Sequence, residues 1–293
     1  MKETTPPGGS PGQWTLRIFC TLALLFLIAP VLVVIPLSFN AEPYFTFTAG
    51  MLALDPDAYS LRWYEQVLFS GDWQRAALNT LIIGLAATAL ATTLGTLAAL
   101  GLSSPAMPWR RGITALLISP MIVPIVIAAA GMFFFYSSVN LTQTYTGLIL
   151  SHAALGAPFV VITVTAAMTG FNRELLQAAA SLGAGPLRGF FKVQLPLVSP
   201  GVISGALFAF AASLDEVVVV LFMGGIEQRT IPRQMWSGIR EEISPAILAA
   251  ATFLIVIAIL LLVTVELLQS RSARRSGGPA AASVQRTETT AAG

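Results

Sequence analysis

The chain has 293 residues, of which 55% are hydrophobic and only 10% carry a charge. Soluble domains carry about 25% charged residues, so the composition excludes an ordinary soluble protein and defines an integral membrane one. A single cysteine, Cys20, and a single histidine, His152, exclude an internal disulfide and leave little room for His/Cys zinc sites or Cys–His nucleophilic pairs.

In chain order, residues 1–13 are rich in Pro, Gly, Ser and Thr and are expected to be a disordered tail. Residues 14–75 hold a first transmembrane helix, Trp14–Ser38, and an extracytoplasmic loop. The apolar run is long and lacks a small-x-small cleavage site, which favours a retained span over a signal peptide. Within the loop, Leu61, Tyr64, Val67 and Leu68 recur at helical spacing, so a short helix is expected over 60–69, either on the membrane surface or solvated. Further spans are expected at 76–102, 112–136, 146–168, 201–223 and 245–268. Pro120 and Pro124 fall inside the third, which should be kinked and packed inside the bundle. Gly84, Gly95 and Gly101 are expected to mark close helix packing. The run from Phe133 to Tyr136 should pack toward lipid or the bundle, and His152 should be a hydrogen-bonded interfacial residue. Residues 269–293 are expected to be a tail that loses order after a turn or two.

Six spans place both termini on one side. The termini with loops 103–111 and 169–200 hold eleven basic and four acidic residues, whereas the opposite side holds five basic and eight acidic ones. Positive charge accumulates on the cytoplasmic face, so both termini and the 169–200 segment are expected there.

That segment is the most specified stretch of the chain. Leu175, Leu176, Ala178, Ala179 and Leu182 suit a helix, and Gly183 and Gly185 suit a tight or left-handed turn. Pro186 suits the first position of a second helix with Leu187, Phe190, Phe191 and Val193 on its apolar face. Pro196 and Pro200 are expected to end the segment before the next span. The physics gives a helix–turn–helix outside the bilayer, whose small residues let another backbone approach.

The spacing of Gln177-Ala178-Ala179, Gly183, Val193 and Leu195-Pro196 resembles the EAA signature of ATP-binding-cassette (ABC) importer permeases. The resemblance runs from about Ala76 to Leu268, opening with Asn79-Thr80-Leu81. It implies an all-α membrane protein of about six transmembrane helices with the type I ABC importer permease fold. Residues 76–268 would form the permease domain, and 174–196 the segment that couples to the ATPase through Gln177, Ala178, Ala179, Gly183, Leu195 and Pro196. The family's Glu is Gln177 here, which can hydrogen-bond but cannot form an ion pair. Within the family, 213–219 and the stretches from Arg229 to Pro232 and from Gly238 to Pro245 are most similar to spermidine/putrescine permeases.

Asp215 and Glu216 are expected in the middle of the fifth span, where each charge costs about 2.5–3.5 kcal/mol. Either they line the path of a cationic substrate, or they pair with Arg229, Arg233 or backbone donors near the external end. The resemblance implies a non-catalytic subunit of a bacterial inner-membrane importer. Its expected partners are two cytoplasmic ATPase subunits that bind ATP and Mg, a paralogous permease forming a heterodimer, an extracytoplasmic substrate-binding protein and the bilayer. No metal, no cofactor in this chain and no nucleic acid are expected. The expected cargo is a polyamine or a related amine such as a short omega-amino acid. A stand-alone secondary transporter or channel is the competing class. It calls for ion-coupling groups and an internal repeat, and the halves of the chain show no repeat.

Overall fold

The computed structural model describes residues 11–104, 106–241 and 244–276. The tail expected over 1–13 therefore lies outside the described residues up to position 10, and that over 269–293 does so from position 277. The regular elements among the described residues are all helices, with no strand and only an isolated bridge between Asn40 and Tyr59. They divide into two compact units, Met1–Ser70 with Ser237–Ile255, and Gly71–Trp236 with Val256–Gly293.

In the first unit, helix α1 spans Pro11–Leu37 and retains two internal prolines. The chain then folds around Asn40, which is fully buried. Its amide Nδ2 donates to the carbonyls of Tyr44 and Thr46, both at 3.0 Å, and its Oδ1 accepts from the Glu42 N–H at 2.9 Å. A short helix α2, Ala49–Leu52, and a 3-10 turn, Pro56–Ala58, lead to α3, Arg62–Phe69, the helix expected from the 60–69 pattern. Trp63 Nε1 donates to the Asn40 carbonyl at 2.8 Å, and Tyr64 stacks edge-on to Phe253 at 5.6 Å. One buried Asn thus satisfies the backbone of a connection that has no regular ladder to do so.

The second unit begins with α4, Gly71–Leu102. Next come α5, Arg110–Ile122, and α6, Ile125–Ser138, which meet at 104°. The single kinked third span is therefore corrected to two helices. Pro124 cannot donate and forces Val123 into extended backbone at ψ 132°, which ends α5. Pro120 does not break α5, because Ser119 Oγ donates at 2.7 Å to the Leu116 carbonyl that the proline leaves free. Neither helix packs as a bundle-interior span should. No residue of α5 is buried, and only Ala129 of α6 is.

Helix α7, Tyr145–Thr169, is the central element. It is followed by α8, Glu174–Ser181, by α9, Pro186–Gly189, and by a π-helical turn, Phe190–Gln194. This turn runs without interruption into α10, Leu195–Asp215. Pro196 and Pro200 therefore do not end the segment before the span, as was expected, but lie inside a continuous helix. The wider turn before Pro196 carries an N–H of Leu195 back to the Phe190 carbonyl. Ser199 Oγ donates at 2.8 Å to the Pro196 carbonyl, the group orphaned by Pro200. Helix α10 stops at Asp215, and α11, Val218–Met223, completes the expected fifth span as a separate piece. Helices α12, Ile231–Glu241, and α13, Ala246–Ser276, follow. Five helices are long and apolar enough to cross a membrane, or six with the bent α5–α6 pair as one span, in agreement with the expected number.

The core of this unit is the packing of α4, α7 and α10. In lipid no hydrophobic force draws helices together, so close van der Waals approach must do it, and small residues permit it. A Cβ on Gly95 would lie 2.7 Å from Val160 Cβ, and one on Gly201 would lie 2.6 Å from Ala167 Cβ. Gly205 sits against the Thr163 side chain and the Val160 backbone. Gly84 meets Phe210 as expected, but Gly101 faces open space and marks no contact. His152 is buried between α7 and α10 and hydrogen-bonded as expected, with Nδ1 2.7 Å from Ser213 Oγ. The aromatic run splits: Phe133 and Tyr136 pack against a second cluster formed by Ile83, Leu148, Val219 and Val220, while Phe134 and Phe135 are exposed.

Candidate functional site

Three places in the second unit combine polar groups with irregular backbone. The first is the turn expected to couple to a partner. Helix α8 ends in a Schellman motif, with the Gly183 N–H bonded to the Ala180 carbonyl and the Ala184 N–H to that of Ala179. Gly183 has φ +80°, a conformation that a side chain would strain, whereas Gly185 has an ordinary φ of −65° and caps α9. Ala178 and Gly183 are exposed, as are Leu175, Leu182, Leu187 and Phe191. Gln177 is exposed as well. With Arg173, Leu176 and Gln194 it lines a cavity of about 320 Å³ bounded by Leu100 and Met168 at the ends of α4 and α7. The Arg173 guanidinium donates to the Ser103 carbonyl, which ties α8 back to α4. Leu195 and Pro196 open α10 directly behind this turn.

The second place is where two helix breaks meet. The Val123–Pro124 break and the Glu216–Val217 break border one cavity of about 480 Å³, together with Met121, Leu155, Phe159 and Asp215. Irregular backbone at membrane depth is tolerated only where it is buried in protein or lines a cavity, and discontinuous helices are a common way to build a binding site there. The expectation that both carboxylates sit in mid-helix is corrected: Asp215 is the last residue of α10 and Glu216 lies in the break. The two differ in their surroundings. Asp215 is exposed to the cavity. Glu216 is half-buried, and its Oε1 accepts from the Val219 N–H at 2.9 Å, capping α11. Pairing with backbone donors therefore applies to Glu216. Pairing with Arg229 or Arg233 applies to neither: among the described residues the carboxylates form no ion pair, and Arg233 Nη1 donates instead to the Gly225 carbonyl at 2.8 Å. The carbonyls at the C-terminal end of α10 add the negative pole of its dipole beside Asp215. No basic side chain lines this cavity. With two carboxylates and no basic side chain, the arrangement suits a cation better than an anion.

The third place was not recognised from sequence beyond the quoted Asn79-Thr80-Leu81. Asn79 is 1% exposed. Its Nδ2 donates to the Glu227 carbonyl at 2.7 Å and the Arg229 carbonyl at 2.8 Å, while its Oδ1 accepts from Tyr145 Oη at 2.8 Å. Thr80 Oγ1 accepts from the Ile231 N–H at 2.8 Å. The segment they hold, 224–231, carries Arg229, and Arg233 on α12 lies near enough to repel it. Burial and the neighbouring Arg229 lower the Arg233 guanidinium below its ordinary value. The available signal was a buried Asn at the mouth of an apolar helix, since such a group needs partners.

These features describe a helical protein with five or six candidate membrane spans and a helix break lined by two carboxylates. Residues 91–276 match the family model of the binding-protein-dependent transport system inner membrane component, and the chain belongs to that family. It is 28% identical over 236 residues to the spermidine/putrescine transport system permease protein PotC of Haemophilus influenzae, covering 80% of this chain and 89% of that one. It is 29% identical over 244 residues to the putrescine transport system permease protein PotI of Escherichia coli, covering 81% and 84%. A bacterial ABC transporter involved in the import of the acidic polysaccharide alginate shares the fold with a TM-score of 0.64 at 16% identity, over 90% of this chain and 99% of that one. An amino acid ABC transporter gives 0.54 at 15% identity, over 71% and 98%. At such identities these structures establish the fold alone. The protein is a multi-pass, non-catalytic ABC importer permease subunit, and the stand-alone transporter or channel is set aside.

Proposed function

We propose that this permease forms part of the translocation path for polyamines of the spermidine/putrescine type, and that transport is driven by ATP hydrolysis on cytoplasmic partner subunits. The observation that carries the substrate reading is the cavity at the two helix breaks. Its only charged lining groups are Asp215 and Glu216, and its walls are the apolar side chains of Met121, Leu155 and Phe159. An alkyl chain ending in an ammonium group is matched on both counts. An omega-amino acid is matched less well, because its carboxylate would meet two carboxylates and no cation. The names of the relatives PotC and PotI support the same class.

On this reading the termini and the α8–α9 turn are cytoplasmic, in keeping with the charge count. Ala178, Ala179 and Gly183 present a surface to which one of two ATPase subunits docks, with Leu182 and Leu187 as apolar anchors. Gln177 belongs to the same exposed surface and also borders the cavity between α8 and the ends of α4 and α7. ATP and Mg are held by the ATPase subunits. A paralogous permease completes the path, and an extracytoplasmic binding protein delivers the substrate. Alternating access then follows from rigid-body motion of the helix bundles.

The test is import of spermidine into proteoliposomes holding the full complex. Asp215→Asn removes charge at the exposed carboxylate and should lower import at limiting spermidine at least tenfold. Glu216→Gln keeps an oxygen to cap α11 and should have a smaller effect, whereas Glu216→Ala loses both cap and charge. Wild-type import by both Asp215→Asn and Glu216→Gln would overturn the cation-path reading.

A further inference from the structure

The strap 224–231 follows α11 directly, and α11 carries at its start the cap made by Glu216. The strap has few bonds of its own: the Gly225 N–H donates to Gln228 Oε1 at 3.0 Å, and Arg233 Nη1 of α12 donates to the Gly225 carbonyl at 2.8 Å. It opens with Gly224 and Gly225, where a Cβ would lie 2.7 Å from Arg233 Nη1 and from Gln228 Oε1 respectively. It also carries Arg229, whose Nε is buried without a hydrogen-bond partner, close to Arg233. The rest of what fixes it comes from α4 and α7, and Arg75 of α4 also pairs with Glu227 at 3.0 Å on the exposed side. Asn79 and Thr80 on α4 bond the strap at Glu227, Arg229 and Ile231, and Tyr145 at the start of α7 orients the Asn79 amide. Tyr145 Oη also lies 3.3 Å from the Glu227 carbonyl. The Gln143 N–H takes the last carbonyl of α11, Met223, at 2.7 Å. An Asn amide with both donors and its acceptor satisfied has one orientation, and a buried node of this kind is rigid.

We infer that Asn79, Thr80 and Tyr145 form a polar latch that positions the strap and α11, and through them the Glu216 side of the cation cavity. They are positioning residues: they do not line the cavity that holds Asp215 and Glu216, and act by fixing the segment that follows the broken span. This inference rests on the reading of Asp215 and Glu216 as the cation path. In its terms, α10 ends at Asp215 while α11 is held to α4 and α7, so the latch sets how the two carboxylates face each other. Loosening it lets the complex hydrolyse ATP without moving the cation past an ordered site.

The experiment measures spermidine import and ATP hydrolysis on the same proteoliposomes, with the full complex and its binding protein. Thr80→Val keeps the shape of the side chain and loses the acceptor. It should lower import per ATP hydrolysed at least fivefold with the amount of assembled complex unchanged. Thr80→Ser restores the hydroxyl and should match the wild type. Asn79→Ala should be more severe, and Tyr145→Phe should cost about twofold because the Asn79 donors remain in place. If import and hydrolysis fall together, in proportion to assembled complex, the residues are merely structural and the inference fails. An unchanged ratio in Thr80→Val also overturns it. Should Asn79→Ala not assemble, the Thr80 pair decides alone. Asp215→Asn in the same assay separates the two claims. Wild-type import there and in Glu216→Gln removes the cation-path reading, whereas reduced import with a normal Thr80→Val ratio removes only the latch.

Discussion

The α4–α7–α10 core and the α5–α6 limb are built from equally apolar sequence, yet they bury very different amounts of it. In the core, Val160, Val164 and Ala99 are fully buried, and glycines let the backbones touch. In the limb, Leu116 is 71% exposed, Ile122 76% and Phe134 73%. Hydropathy alone cannot separate these cases, because both are compatible with lipid. The difference lies in small residues at contact positions. The core has them on three facing helices. The limb has Gly112 and Gly131, and neither meets anything within 4 Å. A core of this kind carries its own partners, whereas the limb is left for lipid or another chain.

The comparison can be broken most severely at Gly205. A leucine there must enter the space of Thr163 and Val160, an overpacking that costs about 1–3 kcal/mol even where neighbours can relax and more where backbone is in the way. Most of the folded protein should be lost, as read by size-exclusion profile and thermal melt of the detergent-solubilised protein. Ser199→Ala probes the core more gently. It strips the hydroxyl from the Pro196 carbonyl and should cost about 1 kcal/mol, seen as a small fall in melting temperature. Leu116→Ala in the limb should change the stability of the isolated chain by less than about 0.5 kcal/mol, because the side chain has no partner to lose. A large loss there would show that the limb is packed within this chain, and the contrast would collapse.

The sequence made some of these features legible and hid others for physical reasons. Gly183 was readable because few other residues accept φ +80°, so a glycine after a helical run announces the turn. The number of spans was readable from length and apolarity. Pro120 and Pro124 looked alike in sequence. Their outcomes differ because Ser119 serves the carbonyl freed by Pro120, whereas Val123 goes extended before Pro124. The break after Asp215 had no local signal at all. No Gly or Pro marks residues 215–218, and the stop depends on Glu216 capping α11 and on Val219 and Val220 packing into a separate cluster. Both carboxylates were therefore singled out correctly as the unusual charges of the span, but with the wrong backbone beneath them. Asn79 was noticed as part of a pattern, and only the fold supplied its partners from residues almost 150 positions away.

The unbroken helix from Pro186 to Asp215 has a mechanical meaning. Its 30 residues make a rod about 45 Å long at 1.5 Å per residue. Swinging such a rod by about 10° about its Pro186 end displaces the far end by about 8 Å, by the same geometry. The rod is keyed into α7 through Gly201 and Gly205 and meets α4 where Phe210 packs on Gly84, so it cannot swing alone and takes those helices with it. A push of about an ångström beside the α8–α9 turn thus becomes a displacement several times larger at Asp215, provided the pivot lies near the turn. Leverage of this kind comes from stiffness and length, and needs no chain of side-chain rearrangements between the two ends.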